Sequence, residues 1–250
     1  MAISMDALLS VKNLKVSIED KNILNGIDLQ VNPGETHVLM GKNGSGKSSF
    51  ALTLMGHPRY KIQEGQIYFC GQNISSLKPN ERAKLGLFLA LQNPSEIDGV
   101  PLKQLLRQAY NQIYDNTDKQ LRLSEFNKLL EQKIQELKVD PNLVERAANV
   151  GFSGGEKKKA EILQMSVLQP KLAVLDEIDS GLDLDAIKII CAQINQIHQN
   201  SKDSAFLVIT HNPRLLECLV PDFVHIMKAG KISRSGSAEL IKEIEIHGFE

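Results

Sequence analysis

Apolar and polar residues alternate near the start of the chain, with Leu9 and Val11, then Leu14, Val16 and Ile18, on the apolar side. Ile27, Leu29 and Val31 repeat the pattern before the turn residues Asn32-Pro33-Gly34. A period of two bounded by turns predicts antiparallel strands, because successive side chains leave a strand on opposite faces. A short apolar strand over residues 36–40 follows, then a glycine-rich loop and an apolar helix over 47–55. After Gln92-Asn93-Pro94 the period changes. Leu102, Leu105, Leu106, Ala109 and Ile113 share one helix face, and Phe126, Leu129, Leu130, Ile134 and Leu137 share another. Both stripes read as core packing, and the polar stretch 115–120 between them reads as a surface loop. Beyond Pro170 strand and helix alternate again: a strand over 172–175, a helix over 184–199, a strand over 205–210, and a hairpin of 223–227 and 232–235 around Ala229-Gly230. That order predicts an α/β fold with a mostly parallel sheet and helices packed on it.

Composition narrows the function. A chain of 250 residues that is 42% apolar can bury a substantial core. The 29 basic and 30 acidic side chains nearly cancel, to a net charge of -1. This argues against a purely electrostatic nucleic-acid binder, so no nucleic acid is expected. Cys70, Cys191 and Cys218 are far apart in sequence and form no Cys-x-x-Cys pair. They read as buried thiols in a reducing compartment, not as a disulfide frame, a zinc site or a cluster-binding run. The first six residues lack a basic segment followed by an apolar core, so they do not read as a secretory signal. The longest apolar runs, 87–91 and 205–209, are far short of a membrane span. A soluble, cytoplasmic protein is expected, with any membrane part supplied by other subunits.

Three segments carry chemistry. Gly41-Lys42-Asn43-Gly44-Ser45-Gly46-Lys47-Ser48, followed by Ser49, has the spacing of a phosphate-binding loop between a strand and a helix. Its glycines let backbone N–H groups curl around phosphate oxygens, and the helix N-terminus adds positive potential. Lys47 meets the β- and γ-phosphates of ATP, and the Ser48 hydroxyl ligates Mg²⁺. Leu172-Ala173-Val174-Leu175-Asp176-Glu177 is an apolar strand ending in two carboxylates at the ligand-binding edge of an open sheet. Asp176 is placed to hold Mg²⁺ and Glu177 to take a proton from attacking water. Phe152-Ser153-Gly154-Gly155-Glu156 is a second helix start suited to an anion. One nucleotide needs one phosphate loop, so this second site requires its own explanation.

These segments resemble the ATP-binding cassette family over essentially the whole chain, and the resemblance supplies that explanation. It implies that Ser153, Gly154 and Gly155 cap the γ-phosphate held by a second copy, in a transient ATP-dependent homodimer. It also implies that Gln92 senses Mg²⁺ and γ-phosphate, and that Ser180-Gly181-Leu182-Asp183 crosses the dimer interface. His211 would then be the switch histidine at the γ-phosphate. The fold it implies has a catalytic core over 1–94 and 169–250, with an antiparallel N-terminal part, and a helical subdomain over 95–168 carrying the signature segment. One feature departs from the transport cassettes: residues 11–20 contain no aromatic side chain to stack on adenine. Val16 or Ile18 would have to supply an apolar face, which leaves base selectivity open.

The longer strings narrow the resemblance. Gly151-Phe152-Ser153-Gly154-Gly155-Glu156-Lys157-Lys158-Lys159, Glu161-Ile162-Leu163-Gln164-Met165 and Asp176-Glu177-Ile178-Asp179-Ser180-Gly181-Leu182-Asp183 are similar to the SufC-type cassettes of the SUF iron–sulfur cluster assembly system. Gln92-Asn93-Pro94 with Glu96-Ile97 and Gly99-Val100 fits the same group. The triple lysine by itself reads as a solvated helix face. The SufC resemblance implies two copies docked on a scaffold of SufB-like and SufD-like proteins, which would carry the cluster ligands. The alternative is the nucleotide-binding subunit of a membrane transporter, which shares every catalytic motif.

Overall fold

The computed structural model describes residues 7–200 and 203–249; the first six residues, and with them the signal-peptide reading, lie outside that range. The early alternation forms β1 (Leu9–Ile18) and β2 (Lys21–Val31), paired antiparallel from Leu9 opposite Val31 to Ile18 opposite Lys21. The other edge of β1 pairs with β4 (Lys61–Phe69), and β5 (Gln72–Asn73) completes a four-stranded sheet of order β2-β1-β4-β5. Gly65 allows the bulge where β4 crosses β1. Its φ is 88°, and a Cβ there would lie 2.3 Å from the carbonyl oxygen of Lys12.

The second sheet is the one the strand–helix alternation predicts. β3 (Thr36–Met40), β6 (Leu87–Ala90), β7 (Leu172–Asp176), β8 (Ala205–Ile209) and β9 (Phe223–Lys228) are all parallel, and β10 (Lys231–Gly236) closes one edge antiparallel to β9. Strand order is β10-β9-β3-β8-β7-β6. Both faces are buried. Leu39, Leu172, Val174, Leu207 and Ile209 join the β1–β2 side chains and Phe50 of α1 (Lys47–Met55) in one core. Val38, Met40, Ala173, Leu175, Phe206 and Val208 join the second core on the opposite face. Alternate side chains on one strand thus serve two cores, as expected of a parallel sheet covered on both sides.

The short α2 (Pro79–Lys84) precedes β6, and between β6 and β7 stand α3 (Leu102–Ile113), α4 (Leu123–Glu136), a 3-10 turn at Pro141–Glu145 and α5 (Gly154–Leu168). Both predicted stripes face inward, with Leu102, Leu106, Phe126, Leu130 and Ile134 buried against α5 residues such as Leu163 and Val167. α6 (Leu184–Asn200) and α7 (Pro213–Leu219) cover the same face of the sheet, and α8 (Glu239–His247) ends the described helices. No described helix is long and apolar enough to cross a membrane.

Two expectations fail. The cysteines are not three buried thiols: Cys70 is exposed, and Cys191 of α6 is joined to Cys218 of α7 as a disulfide, with Cα atoms 6.0 Å apart. A separation of 27 residues hides the pairing, because only the packing of α6 on α7 brings the two together. The triple lysine is not a uniformly solvated face either. Lys159 is exposed, but Lys157 reaches Glu96 at 3.3 Å and Lys158 is only 4% exposed. α5 lies against the chain that follows β6, so the face carrying Lys158 points into protein.

Candidate active site

The glycine loop joins β3 to α1. Gly41 has φ 151°, and a Cβ on it would sit 2.3 Å from the carbonyl oxygen of Met227. Gly46, the N-cap of α1, has φ 111° and faces the side chains of Leu24 and Met227 at 3.1 and 3.2 Å. These contacts fix the loop against β9 and β2, so both positions require glycine. Gly44 has open space where a side chain would be. The first turn of α1 carries no acidic residue, which leaves its N-terminal partial charge uncancelled. Lys47 is 5% exposed, and its ammonium donates to the carbonyl oxygens of Gly41 at 2.8 Å and Lys42 at 3.2 Å. Burial lowers its pKa against the pull of Glu177 and Asp176. The buried Ser45 hydroxyl lacks a hydrogen-bond partner. A curled loop with a buried cation and spare donors is built to receive an anion.

The carboxylates stand beside the loop. Asp176, the last residue of β7, is buried and accepts a hydrogen bond from the Ser48 hydroxyl. Its Oδ1 atom is buried without a partner, and burial raises its pKa. An orphaned carboxylate oxygen next to a serine hydroxyl and a phosphate loop fits a magnesium ion completed by phosphate oxygens and water. Among the described residues no group of three or more His, Cys, Asp or Glu could hold a metal unaided.

Glu177 has the left-handed φ of 49°, unusual for a non-glycine residue, and its N–H donates to the carbonyl of Ile209 at 2.9 Å. The strain turns its side chain back over the end of the sheet. There Gln92 donates from Nε2 to Glu177 Oε2, and His211 Nε2 stands 4.0 Å from Glu177 Oε1. Burial first, and then Lys47, lower the pKa of His211, so its imidazole is neutral near pH 7. Sequence reasoning missed Asp179. This buried residue accepts a hydrogen bond from the Thr210 hydroxyl at 3.0 Å, and Thr210 in turn accepts from the N–H of Asn212 at 2.9 Å. Asp179 therefore ties the chain after β7 to the chain after β8, on either side of Glu177 and His211. The only signal for it was an acidic residue three positions after Asp176.

The remaining predicted residues lie elsewhere. Ser153 caps α5: its Oγ accepts from Glu156 N at 3.2 Å, while Glu156 Oε2 accepts from Ser153 N at 2.7 Å. Ser153 and Gly154 are exposed, Gly155 is half-buried, and a Cβ on Gly154 would meet nothing. Asp183 is exposed and caps α6, accepting from Ala186 N at 2.8 Å. Among the described hydrogen bonds and ion pairs, none ties Ser153, Gly154, Gly155 or Asp183 to the cluster of Lys47, Ser48, Asp176, Glu177, Gln92 and His211. Val16 is 1% exposed inside the core, so it cannot offer an apolar face to a base. Ile18, at the end of β1, is half-buried.

The chain is similar to known proteins along nearly its whole length. The ABC transporter family matches residues 24–180. The chain is 46% identical to the probable ATP-dependent transporter ycf16 of Cyanophora paradoxa, covering 100% of this chain and 96% of that protein. It is 44% identical to the probable ATP-dependent transporter SufC of Escherichia coli over 97% of both chains. Among solved structures, the ATP-binding subunit of an ABC transporter superposes with a TM-score of 0.79 at 24% identity, covering 96% of this chain and 95% of that one. The ATP-binding cassette MJ0796, in a dimeric post-hydrolysis state bound to ADP and Pi, superposes with a TM-score of 0.78 at 17% identity over 92% of this chain and 98% of that one.

Proposed function

The chain belongs to the ABC transporter family, as an ATPase that uses ATP with Mg²⁺, and from that premise we propose that two copies hydrolyse ATP between them to drive movement in a soluble iron–sulfur cluster assembly scaffold. The observation that carries the two-copy site is the exposed start of α5. Ser153, Gly154 and Gly155 form an anion-binding helix end, yet no described contact joins them to the phosphate loop of their own chain. A second copy facing the first in antiparallel fashion would bring this end over the γ-phosphate, and Asp183 would lie at the seam.

In this arrangement Lys47 and the loop N–H groups bind the phosphates, and Ser48, Asp176 and Gln92 would hold a magnesium ion. When bound, the ion offsets charge on the β- and γ-phosphates. Glu177 accepts the proton of the attacking water, and neutral His211 orients the γ-phosphate. Closing the second copy over the site excludes bulk water, which strengthens each of these contacts.

The scaffold reading rests on the signature and post-strand strings shared with the SufC type and on similarity to the E. coli protein of that name. A groove supports it. This opening of about 940 Å³ lies between the β6 edge and the end of α3, lined in part by Leu85, Phe88, Leu89, Ile113 and Tyr114. It adjoins the residues that lead into Gln92, so a scaffold segment seated there would feel the movement of Gln92. The partners are SufB-like and SufD-like proteins, and the compartment is the cytoplasm. Gentle isolation of the tagged protein tests this: soluble scaffold proteins should co-purify, whereas recovery with membrane-spanning subunits would overturn it.

A further inference from the structure

We propose that Arg146 is a positioning residue that holds the Ser153 loop in the shape it presents to the second copy, an inference that rests on the two-copy reading above. Arg146 follows the 3-10 turn, and its carbonyl accepts from Leu102 N at 3.0 Å, which anchors it to the first residue of α3. Its guanidinium then reaches across the signature loop. Nη1 donates to Glu156 Oε1 at 2.8 Å, Nη2 donates to the carbonyls of Gly151 at 2.8 Å and Val150 at 3.4 Å, and Cζ lies 4.6 Å from the centre of the Phe152 ring. One side chain therefore touches four of the seven residues from Val150 to Glu156.

The arrangement divides the carboxylate of Glu156 between two tasks. Oε1 takes Arg146, which leaves Oε2 for the Ser153 N–H. Hydrogen bonds from Ser153 first, and then Arg146, hold this carboxyl below the usual range. The loop needs such a hold because Asn149 and Gly151 both take left-handed backbone angles, φ 64° and 62°. With the carbonyls of Val150 and Gly151 drawn toward Arg146, the N–H groups of Gly154 and Gly155 and the Ser153 hydroxyl proton stay available to a ligand outside. Arg146 and Glu156 are themselves 41% and 36% exposed. An ion pair so accessible adds little to fold stability, so the fork acts on the shape of the loop. Lysine cannot substitute, because its point charge cannot serve Glu156 and the Gly151 carbonyl together.

The experiment uses the full chain with Arg146→Ala, Arg146→Lys and, as a reference, Ser153→Arg. Each is made both alone and with Glu177→Gln to slow turnover. Arg146→Ala should leave ATP affinity of the monomer unchanged and lower kcat about tenfold with little change in KM, the scale of one lost charge-assisted hydrogen bond. In the Glu177→Gln background the protein concentration for half-dimerisation with ATP, read by sedimentation, should rise by a similar factor. Amide exchange should quicken over residues 150–156 alone. Arg146→Lys should remain several-fold impaired and, keeping the charge and most of the bulk, serves if the alanine variant folds poorly. Wild-type turnover and dimerisation in both Arg146 variants, with Ser153→Arg blocking both, would overturn the role of Arg146 and leave the two-copy site standing. An inert Ser153→Arg would overturn the two-copy site and this proposal with it.

Discussion

The chain has two helix starts suited to phosphate, and they are built on opposite plans. At Gly46 and Lys47 the loop is pressed against β9 and β2, its lysine is buried, and Gly41 and Gly46 cannot carry a side chain without meeting backbone or core. At Ser153 the helix start is exposed, its capping box is closed on itself, and a Cβ on Gly154 would touch nothing. The first brings its own cation and carboxylates and, on the proposed reading, binds ATP without a second copy. The second has only neutral donors, which are weak against water until another surface excludes it. On the proposed two-copy reading, such a half-site works by being brought to a ligand already held.

Substitutions separate the two plans. The largest effect on binding is expected at the buried loop: Lys47→Ala should weaken ATP binding about a hundredfold or more, as loss of a buried charge-assisted contact implies. Normal affinity by calorimetric titration would refute the assignment. Glu177→Gln should keep binding and slow hydrolysis by about 10² to 10⁴, the contribution of a positioned base, checked by phosphate release. Ser153→Arg should spare ATP binding by the monomer yet block turnover. Unaffected turnover would mean that each chain hydrolyses ATP alone.

What the sequence disclosed follows the same division. Local spacing is enough to identify a loop whose parts are consecutive, so Gly41 to Ser48 and the Asp176-Glu177 strand end were legible, as was the alternation that builds both sheets. Features that depend on packing between distant segments were not. The disulfide between Cys191 and Cys218, the burial of Lys158 and the tie from Asp179 to Thr210 each need two elements to meet. Strand β4 escaped notice because Gly65 and a bulge interrupt its alternation, and β6 because four apolar residues carry no period of their own. Arg82 is the clearest case. An arginine in a polar stretch reads as surface, yet it is 2% exposed and donates to the carbonyls of Thr53, Leu54, Leu77 and Ser75.

A smaller effect distinguishes the sheet that supports the loop. His37 of β3 and His225 of β9 are buried and share a hydrogen bond of 2.9 Å. His37 also meets Glu35 at 2.9 Å, and His225 meets Ser235 at 2.8 Å. Burial and then His37 bring the pKa of His225 down from 6.5 to about 4, and burial lowers His37 as well, against Glu35 and Asp222. The unfolded chain therefore binds more protons than the folded one. The contribution of His225 is full above about pH 6.5 and is lost as the pH drops toward 4, by about 3 kcal/mol, while the raised carboxyl of Glu161 works in the opposite direction over the same window. Denaturant midpoints measured across that window should differ between the wild type and His225→Gln by an amount that grows as the pH falls, because the variant lacks this loss. A variant that kept the full slope would place the proton uptake elsewhere.

The smallest expected effect lies where the two half-sites join. Lys158 and Glu161 of α5 are both about 4% exposed. Lys158 donates to the carbonyls of Leu91 at 2.8 Å and Gln92 at 3.0 Å, and Glu161 accepts from Leu91 N at 2.6 Å. Burial raises Glu161 to about 7, against the opposing pull of Lys158 3.5 Å away. Its charge therefore contributes little near neutral pH, while its oxygen still satisfies a backbone N–H. Glu161→Gln keeps that acceptor and should change stability by less than about 1 kcal/mol, whereas Glu161→Ala strands the Leu91 N–H and should lose about 1–3 kcal/mol. Equal losses in the two variants would show that the charge, not the acceptor, holds α5 to the chain at Gln92. The junction between the half-sites would then be an ion pair, not a clamp on the backbone.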